Sequence, residues 1–368
     1  MNKTLKKFNL ILSFILIVVF FASCGKNEIK GEKSSSVALS SRQTSDESID
    51  TEKEEVAESE IFSLDTVITL KVYGSRRNEV LKKLEQRITE LDDLLSTGKA
   101  DSEVSRLNDT GKAVLSDTSA AIMKRSLELN RRTDGLFDIT IYPLMKLWGF
   151  PDKNYRVPSD KEIIEKLKLV GSDKIIFDEK TGEVSFADKG VEIDFGGIGK
   201  GYITDELVRI LHEEKVESAI INLGGNVFGL NKKPDGSLWN VAIRDPEDQE
   251  NFMAAIKIED TAVITSGGYE RYFEENGVRY HHILDPRTGK PSRSNLKSVS
   301  IVSKDGTLAD ALSTSLFIMG EDEAIDYWRK NGTDFDIILL TEDNRLLVSE
   351  GIKDNVISNL YKIESISK

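Results

Sequence analysis

Three stretches of this chain carry residue types suited to phosphate chemistry. The first runs Val191-Glu192-Ile193-Asp194-Phe195-Gly196-Gly197-Ile198-Gly199-Lys200-Gly201-Tyr202, an apolar strand leading into four glycines, a lysine and a helix. Glycines let backbone N–H groups approach a ligand without a Cβ in the way, and a helix behind them points its positive dipole end back at the loop. Lys200 adds a mobile point charge suited to a phosphate. Asp194, at the end of the strand, is placed to accept a hydrogen bond or to support a metal. The pattern is not a Walker loop, because Gly201 stands where Ser or Thr would follow the lysine, and it lacks the full dinucleotide fingerprint. Taken alone, it also reads as a tight strand-to-helix turn.

The second stretch, Leu308-Ala309-Asp310-Ala311-Leu312-Ser313-Thr314-Ser315-Leu316, reads as a helix whose i, i+4 spacing puts Asp310 and Thr314 on one face. A carboxylate and a hydroxyl one turn apart can grip a hard cation such as Mg²⁺, which takes few protein oxygens plus substrate phosphates. Such a pair is also common on solvated helix faces, but the apolar neighbours here bury the helix, where a bare carboxylate is costly. The third stretch, His281 to Gly289, gathers two histidines, Asp285 and Arg287 around one turn. Either His282 or Asp285 could take a proton from an attacking hydroxyl. His282 is favoured, since imidazole titrates near neutrality and Asp285 heads an Asp-Pro turn. His281 reads as a surface residue, and His212 as a residue on the back face of a helix with no functional role. Leu136-Phe137-Asp138, after a glycine turn, is either a ligand wall with a polar handle or a plug closing a helix end. Thr265-Ser266-Gly267-Gly268-Tyr269 is a further polar turn, after the strand Ala262 to Ile264.

These stretches need elements to hold them. One strand is expected from Phe62 to Tyr73, then an amphipathic helix from Asn78 to Leu95 and a polar loop from Ser96 to Asn108. A second helix spans Ser119 to Arg131, and Ser159 with Glu162 forms a capping-box pattern. Short strands around Ile175 and Val184 make a hairpin. Ile203, Leu207, Ile210 and Leu211 give the helix after the glycines its apolar face. A strand from Ser218 to Asn222 follows, and Phe335 to Leu340 with Arg345 to Ser349 closes the chain as a hairpin.

With 368 residues the chain can hold one large or two ordinary domains, and its net charge of −13 disfavours nonspecific binding to nucleic acid. A single cysteine, Cys24, excludes an internal disulfide framework, and three histidines leave no multi-histidine metal site. At the N-terminus, Lys3, Lys6 and Lys7 precede an apolar run from Leu10 to Phe21, shorter than the roughly 18 to 20 residues that span a bilayer. Residues 1–23 are therefore expected to be a signal peptide. Phe21-Ala22-Ser23-Cys24-Gly25 resembles a bacterial lipobox, with Phe21 where Leu is usual, so Cys24 is the expected lipidation site. Residues 24–60 are expected to be the lipidated cysteine and a disordered acidic tether, 61–350 the folded domain and 351–368 a C-terminal tail.

The ordered motifs Thr133 to Thr140, Asp194 to Asp205, Ile221 to Val227, Thr265 to Tyr269, His282 to Pro291 and Leu308 to Gly320 together resemble the ApbE family of FAD:protein FMN transferases. The resemblance covers Phe62 to Ser349. It implies an α+β fold, a duplicated T-fold-like mixed sheet with packed helices. It also implies a Mg²⁺-dependent enzyme that moves the FMN half of FAD onto a Ser or Thr hydroxyl of another protein and releases AMP. Flavin contacts are implied at Leu64, at Leu136, Phe137 and Asp138, at Asp194 and Lys200, and at Thr265. Magnesium ligation is implied at Asp310 and Thr314, with the Gly197 carbonyl nearby. The turn beginning at His282 and Ile283 is implied to lie against the flavin and the reacting phosphate. In Ser96-Thr97-Gly98-Lys99, Gly98 departs from the aromatic that many members carry, so one face of FAD is held differently here. The expected partner is an extracytoplasmic flavoprotein acceptor, met at the outer face of a bacterial membrane. The competing readings are an FAD pyrophosphatase giving FMN and AMP, and a non-catalytic flavin-binding lipoprotein.

Overall fold

A hairpin, rather than one long strand, opens the fold. Val56–Ser63 and Thr66–Tyr73 pair antiparallel with Ser63 opposite Thr66, which leaves Leu64 and Asp65 as a two-residue turn. Both have positive φ, 54° and 56°, the geometry whose twist matches that of the paired strands. Apolar alternation runs through such a turn unbroken, and no glycine or asparagine marks it; that is why it reads as a single strand. The computed structural model describes residues 55–368. The expected signal peptide, Cys24 and the tether up to residue 54 lie outside the described residues. The domain begins at Val56, five residues ahead of the expected boundary, because an acidic segment can still pair its backbone as an edge strand.

The large sheet has nine strands in the order Val56–Ser63, Thr66–Tyr73, Ala219–Leu223, Asn226–Leu230, Thr261–Gly267, Leu296–Ser303, Phe335–Thr341, Leu346–Ser349 and Ile363–Ile366. Neighbours are antiparallel except the last pair, which is parallel. The expected tail 351–368 is therefore part of the domain: Ile363–Ile366 extends the sheet, and Val356–Ile357 pairs with Phe252–Ile258. Segments of two and four residues are too short to leave a periodic signature.

Among the described residues eight α-helices follow in chain order: α1 Arg77–Leu95, α2 Glu103–Thr110, α3 Asp117–Arg132, α4 Tyr142–Trp148, α5 Asp160–Leu167, α6 Gly199–Glu213, α7 Gly306–Met319 and α8 Glu321–Asn331. The α5 capping box forms as expected. Helix α2 takes up the end of the stretch expected as loop, from Glu103 onward, with Ser102 capping it through the Ser105 N–H at 2.9 Å. It buries only Val104 and Leu107, too few residues to show a period.

Helices α1, α6, α7 and α8 pack on one face of the large sheet, with Ile68, Leu70, Ile221, Ile264, Ile301 and Leu339 beneath them in the main core. On the other face Val263, Val302, Ile338 and Leu340 meet Trp239, Val241, Ile243 and Ile256 of a three-stranded sheet. A helix layer on an antiparallel sheet is the expected α+β class.

Residues Val191 to Phe195 join no ladder, although Val191, Ile193 and Phe195 alternate inward like a strand. The Asn108 side-chain amide takes the place of a neighbouring strand, donating to the Ile193 carbonyl at 2.9 Å and accepting the Ile193 N–H at 2.7 Å. The Asp194 N–H is bound by the Ile139 carbonyl at 2.9 Å.

Helices α6 and α7 cross at glycines. A Cβ on Gly201 would lie 2.3 Å from the Gly306 carbonyl oxygen and 2.8 Å from the Asp310 Cβ, so the two backbones touch where only hydrogen fits. Gly201→Ala is expected to destabilise the fold by about 1–3 kcal/mol through overpacking. Urea unfolding checks this, and a midpoint equal to that of the unsubstituted chain would refute the close crossing.

Candidate active site

The crossing decides what faces the glycine turn. No side chain caps α6 at Ile198. Asp310, 5% exposed, reaches over from α7 and accepts the Gly201 N–H at 2.8 Å, so a buried carboxylate sits at the positive end of α6. Helix α7 is in turn started by two carboxylates. Asp305 accepts the Leu308 N–H at 2.7 Å, and Asp205 of α6 accepts the Gly306 and Thr307 N–H groups at 2.8 Å each, together with the Thr307 hydroxyl. Burial pushes the Asp205 carboxyl up to about 6, against the pull of Thr307.

One turn beyond Asp310, the Thr314 hydroxyl stands 3.3 Å from Ser266 Oγ, which also bonds Ser313 Oγ at 2.8 Å. Thr265 is on the wrong side to join them. Its hydroxyl bonds Ser300 Oγ at 2.8 Å, and successive side chains of a strand point to opposite faces, so Ser266 faces α7 and Thr265 faces the second sheet. The structure therefore sets the Ser266 side chain, and not that of Thr265, beside Thr314.

The Leu136-Phe137-Asp138 segment acts mainly as a plug. Leu136 and Phe137 are buried, and the Phe137 ring backs the glycine turn, 3.4 Å from where a Gly197 Cβ would stand. Asp138 is not free for a ligand through its carboxylate. Its two oxygens accept from Thr140 N and Oγ1, Ser172 N and Oγ, and Asn130 Nδ2, at 2.6–3.2 Å. Leu64 sits in the hairpin turn, half-buried, in a left-handed conformation that costs a branched side chain about 1–2 kcal/mol.

Asp194 receives the Gly196 N–H at 2.9 Å, and enclosure pushes its carboxyl above the ordinary range while Arg271 and Lys200 oppose that rise. At the far turn His282 places Nδ1 3.2 Å from the Arg271 carbonyl. A carbonyl only accepts, so Nδ1 donates and Nε2 keeps its lone pair. Enclosure first, then the Arg271 guanidinium, push the imidazole down to about 3, although the ring retains a path to solvent. Asp285 is committed elsewhere. It is buried and accepts the Arg287 N–H at 2.8 Å and the Arg287 guanidinium on both oxygens, so it shapes the turn and is not available as a base. Ile283 points its side chain into the main core. His281 is not a surface residue: it binds the Ser292 carbonyl at 2.9 Å and lies edge-on to Phe317. His212 is exposed.

Electrostatic coupling ties the distant stretches into one site. Lys200 and Arg271 each act on Asp194, Glu270 and His282, and Asp310 acts on Glu270. Glu270 and Arg271 were not singled out in the sequence; they follow Tyr269 in a charged turn that resembles any solvated loop. Their position after the polar Thr265 to Tyr269 turn was the available signal.

The ApbE family model matches residues 64–339, well over half of the chain. The chain belongs to the ApbE family. Among its relatives, a Klebsiella pneumoniae protein named FAD:protein FMN transferase is 34% identical over 286 residues, 77% of this chain and 88% of that protein. One of the same name from Treponema pallidum is 33% identical over 312 residues, 79% of this chain and 86% of that protein. The ApbE protein of Thermotoga maritima superposes with a TM-score of 0.77 at 32% identity, covering 82% of this chain and 99% of that one. The flavin transferase ApbE of Vibrio cholerae gives 0.73 at 27% identity with the same coverage. These ApbE structures share the α+β architecture described above.

The His282 geometry predicts a pH profile. With its pKa lowered, the imidazole of the free protein stays neutral from pH 7 down to well below its ordinary value of 6.5. The acid limb of kcat/KM, which reports the free enzyme, is therefore expected below pH 5. A limb near 6.5 would show that His282 titrates as an open histidine.

Proposed function

We propose that this chain is an FAD:protein FMN transferase, moving the FMN half of FAD onto a Ser or Thr hydroxyl of an extracytoplasmic protein and releasing AMP. The observation that carries this reading is the meeting of Asp310, the start of α6, Lys200 and a neutral His282 in a chain of the ApbE family. The names of its relatives support the same activity.

The residues at the crossing fit a magnesium ion. Asp310 gives one oxygen, Oδ2, to Gly201, and among the described residues no hydrogen bond reaches the other. Thr314 lies one turn on, and no cluster of three or more His, Cys, Asp or Glu side chains occurs among the described residues. A site of few protein oxygens suits a cation that completes its shell with water and phosphate. Asp310, Thr314 and the Gly197 carbonyl would hold the ion, which when bound supplies charge neutralisation at the pyrophosphate.

The chain's own groups account for the remaining steps. Lys200 and the start of α6 attract and orient the pyrophosphate. His282 Nε2 takes the proton of the acceptor hydroxyl as its oxygen bonds to the phosphorus of the FMN half. The bond from that phosphorus to the bridging oxygen breaks, and AMP departs with the bridging oxygen. Without a protein hydroxyl, water in the same position would give free FMN and AMP.

The location is also part of the proposal: the apolar run before Cys24 and its lipobox-like setting support a lipid anchor on the outer face of the cell membrane. Among the described residues no helix is long and apolar enough to cross a membrane.

Incubation of the chain with FAD, Mg²⁺ and an extracytoplasmic flavoprotein, followed by intact mass spectrometry of the acceptor, tests the activity. An FMN-sized mass gain with AMP release is expected; uncleaved FAD with an unmodified acceptor would sink the reading. Asp310→Asn keeps an oxygen for the Gly201 N–H while removing the charge. It is expected to fold normally and to lose Mg²⁺-dependent turnover by about 100-fold or more, the scale of losing one transition-state charge contact. Full turnover in that variant would remove Asp310 from the metal site.

A further inference from the structure

The aromatic face expected at the flavin is not at Phe137, which is 4% exposed and turned behind the Gly197 turn. Gly98 leaves room instead: a Cβ built there would meet only Ser96 Oγ, at 3.7 Å. Tyr142, the first residue of α4 and half-buried, bonds Thr97, the residue before Gly98, through its hydroxyl.

Its place is fixed from several sides. The Ile139 carbonyl, one turn earlier, accepts the Asp194 N–H at 2.9 Å and so stitches the start of α4 to the glycine segment. The Tyr142 hydroxyl lies beside Thr97 and within electrostatic reach of Asp194. Lys146, one turn later, sets its ammonium 5.6 Å from the ring centroid, and Glu192 holds that ammonium at 2.7 Å. Lys146 therefore occupies one side of the ring, while part of the ring surface stays open. Burial first, with Asp194 adding to it, raises the phenol above its ordinary pKa, so the ring is neutral and electron-rich at working pH. An electron-poor, planar heteroaromatic is the natural partner of such a face.

We propose that Tyr142 is the specificity-determining aromatic of this site, the wall on which the isoalloxazine ring of the flavin lies in the space left beside Gly98. The inference rests on the reading of the site as one for FAD.

Titration of the full chain with FMN, followed by quenching of flavin fluorescence, tests it. Tyr142→Ala is expected to weaken FMN about tenfold, the scale of losing one stacked aromatic, and Tyr142→Phe to keep the affinity within about threefold. Gly98→Tyr added to Tyr142→Ala is expected to restore most of the loss, because a Cβ at position 98 meets only the Ser96 hydroxyl and leaves space for a second ring beside Thr97. Tyr142→Ala binding FMN as tightly as the unsubstituted chain, with an unchanged unfolding midpoint, would overturn the inference. So would a loss seen for ADP and not for FMN, which would put the ring at the adenine. If the unsubstituted chain bound ADP but no flavin, the FAD reading itself would fall.

Discussion

A single contact, the Gly201 N–H held by the Asp310 carboxylate, organises the rest of the site. It requires two helices distant in sequence to approach until their backbones touch, which Gly201 and Gly306 permit. It also buries a carboxylate, a costly act that the hydrogen bond and the positive end of α6 offset. Once that contact exists, Thr314 follows one turn along α7, Lys200 precedes Gly201 on α6, and the glycine turn is held between them. Asp205 and Asp305 reinforce it by giving the start of α7 carboxylate oxygens to bind, so each helix supplies acceptors to the other's first turn.

Two cations, Lys200 and Arg271, stand among the carboxylates around this contact. In a chain of net charge −13, Lys200 and Arg271 both act on Asp194, Glu270 and His282, and the positive end of α6 adds to them. At ionic strengths where the Debye length is about 8 Å, these neighbours rather than the distant surface charge set the local field. Enclosure, aided by the same cations, keeps the His282 imidazole neutral.

Support for the site lies behind it. Asp138 gathers five hydrogen bonds from three segments and so locks the Phe137 plug against the glycine turn, and Asn108 substitutes for a strand along Val191 to Phe195. Asp285 similarly spends its charge on Arg287 to shape the turn that presents His282. Polar residues that look functional in the sequence, Asp138 and Asp285, are here braces for their neighbours.

The sequence by itself determined the elements with a long period and the residues whose chemistry is local. Helices α1, α3, α6 and α7 and the closing hairpin follow from apolar spacing, and the glycine turn, Lys200 and the Asp310–Thr314 pair follow from residue type on a single element. Tertiary structure decided what depends on partners far along the chain. Whether Val191 to Phe195 is a strand depends on Asn108, and whether Asp285 or His282 is free depends on which donors arrive. Thr265 and Ser266 differ only in which sheet face looks toward α7. The Leu64 turn, the strand after Ser349 and the placing of Tyr142 beside Gly98 left no period to detect. The reason is physical: periodicity records a segment's own preference for burial, whereas hydrogen-bond partners and faces are fixed only when separate segments pack.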